Sequence, residues 1–471
     1  MEPIESSHLF LQEKVQPKEL SEGIEGFMEC RETVCETPLG RIRGLDNGRC
    51  LAFLGVPFGK AERFEYAQAV DRWDGVLDAT RFGPGCPQNR AVHEHLEDPV
   101  RLFSKREYRE GLDFTYSEDC LNLNIYAPYG AKAAPVILFF YGGGFDSGLN
   151  WESPFDGSAL VQRGAVTVFA NYRVGPLGYL THEEIQTKYG RDGNFGLDDQ
   201  LTALRWVKAH IGAFGGDPDN ITIMGQSAGA ISVQYLCLNP AHRGLFRRAA
   251  MLSGGGLFPR FALPRPAEST HAYWRQFMEL AGCRSFEALK AAPLADIFEA
   301  VEKIKALRKD TIYHTMPVVD GALLPGPVDQ LIKTPLPVDY LIGFTNNDMY
   351  APVMAFIGQK FGRRNGAYLY YFDLDAPGDD NRAFHSSDLR YIFGTLDRSW
   401  RPYGKRDREA SGQMMDYLVN FVRTGDPNGP GLPPWRPGRG VLRIGPKGTG
   451  MGHVNYGKLI RNMLTKGDPK A

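Results

Sequence analysis

One corner of the chain constrains its fold more than any other feature. Gly225-Gln226-Ser227-Ala228-Gly229 sets a serine between two glycines. The apolar run before it, Ile221-Thr222-Ile223-Met224, reads as a strand, and the stretch from Ala230 to Leu238 reads as a helix. G-x-S-x-G at a strand-to-helix turn presents the serine hydroxyl where the chain leaves a sheet. The turn is sharp, and glycines leave space that side chains would fill. The helix that begins there points unpaired N–H groups toward any oxygen on which negative charge develops. The pattern alone also fits an ordinary turn in a chain with 54 glycines, so the surroundings decide.

Upstream, Pro135-Val136-Ile137-Leu138-Phe139-Phe140 reads as a buried strand and runs into Tyr141-Gly142-Gly143-Gly144-Phe145. Successive glycines after a core strand can turn their N–H groups into a cavity. Acyl transfer needs such donors around the tetrahedral oxyanion, and losing one typically costs about 3 kcal/mol. Downstream, Val338 to Phe344 reads as a strand that ends in Thr345-Asn346-Asn347-Asp348. An acid just past the carboxyl end of a parallel strand lies on the rim where open α/β sheets bind ligands. Asp339 begins the same strand and so lies at the wrong end. A further strand, Ala367 to Phe372, precedes the polar loop with His385, one of ten histidines. Serine, acid and histidine thus follow one another in the chain order of the α/β-hydrolase fold.

These residues, with several others, resemble the type-B carboxylesterases, the family that includes the cholinesterases. The likeness runs from about Thr37 to Trp435. It is carried by Phe53-Leu54-Gly55-Val56-Pro57-Phe58, Ser117-Glu118-Asp119-Cys120-Leu121-Asn122-Leu123-Asn124, Asn171-Tyr172-Arg173-Val174-Gly175, Gly193 to Gln200, and Arg423-Thr424-Gly425-Asp426-Pro427-Asn428. The resemblance implies Ser227 as nucleophile, His385 as general base and acid, and Asp348 as the orienting carboxylate. Gly143, Gly144 and Ala228 would supply the oxyanion N–H groups. It also pairs Arg63 with Glu118 as a partly buried structural contact. Cys86 and Cys120 match positions that secreted relatives bridge.

The chain departs from the family pattern in three places. Gln226 stands where many members carry glutamate, which removes a negative charge and weakens any preference for cationic substrates. The acid is Asp348 where glutamate is common, and aspartate performs the same role in many hydrolases. Asp348 and His385 are 37 positions apart, an interval much longer in the cholinesterases. It holds one helix, Pro352 to Phe361, and one strand, so the pocket should be more open on that side.

The fold expected is α/β, an α/β-hydrolase fold whose central, mostly parallel sheet is covered by helices on both faces, with a reduced cap. Strands are expected at 136–140, 165–170, 221–225, 248–252, 338–344 and 367–372. Helices are expected at about 198–213, 229–238, 269–281 and 411–424, with Asp198-Asp199 opening the first and Phe214 to Pro218 closing it. Residues 1–30 read as a polar extension and 31–471 as one α/β-hydrolase domain with insertions.

Hydrophobic residues make up 43% of the 471, enough for a sizeable core, and the formal net charge of −1 offers no basic surface for nucleic acid. No apolar run of membrane-spanning length and no signal-peptide core is evident, so the expectation is a cytoplasmic protein. Its seven cysteines are an odd number, and in a reducing compartment Cys86 and Cys120 would be neighbouring free thiols. No Cys/His spacing resembles a metal site, and every role in acyl transfer is filled by side chains and backbone. The expected cofactors are therefore none, and the partner is a small ester.

Three functions remain open. The first is a serine esterase working through an acyl-enzyme. The second is a catalytically silent binding protein of the same family, against which the full set of reactive residues argues. The third is an amide or carbamate hydrolase with the same machinery, against which no feature assists an amine leaving group. Phe145 to Trp151, Leu257 to Leu263 and Met349 to Phe356 are the segments expected to line an apolar pocket, if they are not core. The sequence is silent on oligomeric state.

Overall fold

A computed structural model of the chain describes residues 31–89, 99–255, 263–308, 314–348 and 351–464. Among these, thirteen strands make one sheet. Twelve follow in the order Arg31–Thr37, Gly40–Asp46, Leu51–Pro57, Asn122–Ala127, Val166–Ala170, Ala134–Phe140, Gly216–Gln226, Arg248–Leu252, Asp339–Thr345, Tyr368–Phe372, Val441–Gly445 and Gly448–Gly452. The short Val76–Asp78 pairs alongside Gly40–Asp46. Pairings from Val166–Ala170 across to Val441–Gly445 are parallel. The N-terminal strands and the last hairpin are antiparallel.

The central strands are apolar at successive positions rather than alternating, because both faces are covered. Val136 to Phe140 and Val166 to Ala170 are all buried. Helix Ala228–Leu238 is buried on every side, as an all-round apolar helix inside a covered sheet should be. It packs on strands Gly216–Gln226 and Arg248–Leu252, while Lys405–Thr424 lies against Gly216–Gln226 and Ala134–Phe140.

The strand order locates the site. From Ala134–Phe140 the chain crosses to Val166–Ala170 on one side, then returns to Gly216–Gln226 on the other. Successive connections therefore diverge at the carboxyl ends of Ala134–Phe140 and Gly216–Gln226. That divergence opens a crevice at the topological switch point, where ligands of α/β sheets bind. Register places Gly225 beside both Phe140 and Met251. The glycine loop and the serine corner are thus adjacent.

The six expected strands are present, with Gly216–Gln226 starting five residues earlier than expected. The first long helix runs Phe195–His210, so Asp198 and Asp199 lie inside it rather than opening it. Both are tied down: Asp199 accepts from Arg173 at 2.8 Å in a fully buried pair, and Asp198 meets Arg191 at 2.9 Å. A 3-10 turn, Ile211–Phe214, then ends at Gly215 with φ 78°, a left-handed stop that glycine adopts freely.

The segments 257–262 and 349–350, the extension 1–30 and the end 465–471 lie outside the described residues. Arg63 meets Glu118 at 2.5 and 2.8 Å and also donates to the carbonyls of Lys290 and Ala292. Cys86 and Cys120 are free, buried thiols. The Cys120 thiol is held well above its ordinary range by hydrogen bonding with Cys86 and by burial. Among the described residues no helix is long and apolar enough to cross a membrane.

Candidate active site

Ser227 carries the backbone signature of the corner. Its φ is 55° and ψ −123°, a region that costs a non-glycine residue about 1–3 kcal/mol. The surroundings hold it there. Ser227 N donates to Leu252 O at 2.9 Å, and Ile231 N donates back to Ser227 O at 3.0 Å. The flanking glycines are needed for close approach. A Cβ on Gly225 would come within 2.3 Å of Gly229 O, and one on Gly229 within 2.1 Å of Phe140 O. Gly142 is as tightly placed, since a Cβ there would sit 2.7 Å from Ser227 Cβ.

The glycine loop turns through positive φ at Gly143 (119°), Gly144 (66°) and Phe145 (64°). It is fixed by Asp146 N and Ser147 N, each donating to Gly143 O at 3.1 Å, and by Gly175 N donating to Phe145 O at 2.7 Å. Among the described residues, the N–H groups of Gly143, Gly144 and Ala228 donate to no protein acceptor. Ala228 is the first residue of its helix, so its N–H has no intrahelical partner. Gly143 and Gly144 face solvent. Phe145 and Leu149 are buried, and Trp151 stacks on Phe82 at 4.8 Å.

Asp348 and His385 are brought together. Nδ1 of His385 lies 2.9 Å from Oδ2 of Asp348, whose side chain is buried while the imidazole is 37% exposed. Backbone bonds set the pair. Asn347 N donates to Ala383 O at 2.9 Å, and Asn346 N donates to Phe372 O at 2.9 Å. Asn346 Nδ2 also reaches Asp373 at 2.9 Å and Asp375 at 2.8 Å. Asp373 is buried and meets Lys458 at 2.7 Å and Arg443 at 2.8 Å. Burial works against its ionisation, yet hydrogen bonds from Lys458, Asn346 and Arg443 hold its carboxyl below the usual range.

The sequence connected neither of two neighbours to the histidine. Gln226 Nε2 lies 3.2 Å from His385 Nε2. Asp388, three residues beyond His385 and fully buried, accepts from Tyr370 OH at 2.5 Å, and burial pushes its carboxyl up to about 6. Ser227 Oγ makes no hydrogen bond among the described residues, and His385 Nε2 instead faces the residue before the serine. Among the described residues no group of three His, Cys, Asp or Glu side chains could hold a metal ion.

Comparison with known proteins fits this geometry. The carboxylesterase family model matches residues 31–361 and 349–456. The para-nitrobenzyl esterase of Bacillus subtilis is 33% identical, covering 84% of this chain and 90% of its own. Carboxylesterase 4A of Bos taurus is 29% identical, covering 87% and 90%. Among solved structures, a PNB esterase superposes with a TM-score of 0.77 at 24% identity, covering 92% of this chain and 99% of its own. The Geobacillus stearothermophilus carboxylesterase EST55 gives 0.73 at 28% identity, with 91% and 99% covered. A serine corner, a glycine loop and an aspartate–histidine pair on this sheet, together with likeness over most of the chain, place it in the carboxylesterase family, as a carboxylic ester hydrolase with the α/β-hydrolase fold.

Proposed function

We propose that ester hydrolysis proceeds by acyl transfer through Ser227, with His385 as general base and acid and Asp348 as its orienting carboxylate. The observation that carries this reading is the bond from His385 Nδ1 to Asp348, which leaves Nε2 facing the serine corner. Ser227 Oγ attacks the ester carbonyl while His385 Nε2 takes its proton. The carbonyl oxygen becomes an oxyanion, received by the N–H groups of Gly143, Gly144 and Ala228. Collapse breaks the bond to the alcohol, which leaves with the proton from His385. Water, deprotonated by the same nitrogen, then splits the acyl-enzyme to acid and free serine. Asp348 stabilises the imidazolium in both halves and keeps the ring in the productive tautomer.

Aryl esters are the class to test, because a relative carries the name para-nitrobenzyl esterase. Ser227→Ala should abolish p-nitrophenyl ester hydrolysis while circular dichroism stays that of the parent. Residual turnover within about tenfold of the parent, a difference of ~1.4 kcal/mol in barrier, would reject the assignment.

A further inference from the structure

The contact between Gln226 and His385 does more than remove a negative charge. Gln226 is buried and sits between the glycine loop and the imidazole. A Cβ on Gly142 would fall 2.6 Å from Gln226 Oε1, and Gln226 Nε2 lies 3.2 Å from His385 Nε2. His385 Nδ1 faces the carboxylate of Asp348 at 2.9 Å and so carries a proton. A neutral ring then has only a lone pair at Nε2, and the Gln226 amide N–H donates to it. The opposite amide orientation would put an oxygen on Nε2 and require a fully protonated ring.

From this geometry we propose that Gln226 is a positioning residue that parks the general base: its amide occupies the Nε2 lone pair until Ser227 displaces it, and it disfavours the imidazolium. The inference rests on the triad reading above. A donor to the neutral form lowers a base's affinity for protons. Once His385 takes the serine proton, its Nε2–H and the Gln226 amide are two donors facing each other, so the amide must turn away. Gln226 therefore keeps the base unprotonated at lower pH than a glutamate in its place would.

Asp348 faces Nδ1, and Asp388, on the ring's own segment, lies behind it against Tyr370. Arg401, over the Phe384 ring, is committed to Glu107 and Asp379 at 2.9 and 2.7 Å, and Arg390 to the Glu107 carbonyl. Burial pushes the Asp388 carboxyl up to about 6, within range of an imidazole, so it needs its own control.

The test is the pH profile of kcat/KM for p-nitrophenyl acetate. Gln226→Glu should move the acid limb to higher pH by about one unit or more, since an opposite charge within reach raises a base's pKa by about that much. Gln226→Met, which removes only the donor, should move it less and in the same direction. Both shifts should persist in an Asp388→Asn background. An unmoved limb in Gln226→Glu, or a shift lost with Asp388→Asn, overturns the proposal. Should either variant fail to fold, the intact protein decides through nitrogen NMR of labelled histidine. An Nδ1–H tautomer at neutral pH is expected, and an Nε2–H tautomer or an imidazolium overturns the proposal. The triad reading fails separately, through turnover by Ser227→Ala.

Discussion

Asp339 and Asp348 belong to one strand and its following loop, yet their surroundings differ completely. Asp339 opens the strand, is half exposed, and lies 3.3 Å from Arg248. Asp348 lies three residues past the strand's end, buried against His385. Asp348→Asn should keep the fold and lower kcat by up to about 10⁴-fold, because asparagine selects the wrong imidazole tautomer and cannot stabilise imidazolium. Asp339→Asn should leave kcat near the parent value. Steady-state kinetics on the two variants would contradict the placement if the effects were reversed. The serine corner, the acid and the glycine loop were legible because each directly follows a strongly apolar strand, and the histidine because its polar loop comes after the strand Tyr368–Phe372. Gln226 was legible only as a missing charge. Its contact joins residues 159 apart in sequence, and spacing carries no information on which polar groups meet across a fold. Asp388 was hidden for the same reason, since its environment comes from Tyr370 on a separate strand.

At the scale of elements, the loop that carries Asp348 is held from below. Asn346 spans Asp373 and Asp375, and Asn462 Nδ2 from the C-terminal helix Tyr456–Leu464 donates to Asn346 O at 3.0 Å. Asp373→Ala would leave the Asn346 amide with Asp375 alone, take from Arg443 its carboxylate, and leave Lys458 only the longer contact to Asp375 at 3.8 Å. It should cost about 1–3 kcal/mol of stability and lower kcat more than it raises KM, because the orienting carboxylate would be less well fixed. Denaturant unfolding and kinetics check both, and an unchanged kcat would detach this network from the site. The elements themselves were largely readable. Central strands stood out as continuous runs of Val, Ile, Leu and Phe. Helix starts were less clear. Phe195 begins its helix after an Asn194 with φ 57°, so no ordinary capping serine or aspartate marked the place. The pair Asp198-Asp199 read as the charged start of the helix; Asp198 lies in its first turn, and the two carboxylates are partners for Arg191 and Arg173.

In the whole molecule, the interval between Asp348 and His385 contains helix Ala351–Asn365 and strand Tyr368–Phe372, as expected from its length. On that helix Val353 and Phe356 are exposed. The sheet is wider than the sequence indicated. Arg31–Thr37, Gly40–Asp46 and the hairpin Val441–Gly445 with Gly448–Gly452 extend its edges; the first two are partly exposed and rich in charge, and arginine and glycine interrupt the hairpin, so they lack the apolar runs that marked the centre. We propose that the short interval leaves the mouth open on the alcohol side while the glycine loop closes the acyl side, which predicts unequal tolerance. One acyl group on alcohols of rising bulk should change kcat/KM little, while lengthening the acyl group on one alcohol should lower it steeply. Equal sensitivity to alcohol bulk would contradict the open mouth. Acid-quenched mass spectrometry during turnover of a p-nitrophenyl ester reads the proposed acyl-enzyme at Ser227. One acyl group is expected on the peptide containing Ser227 and none in Ser227→Ala; an acyl group on another residue, with turnover retained in that variant, would overturn Ser227 as the nucleophile.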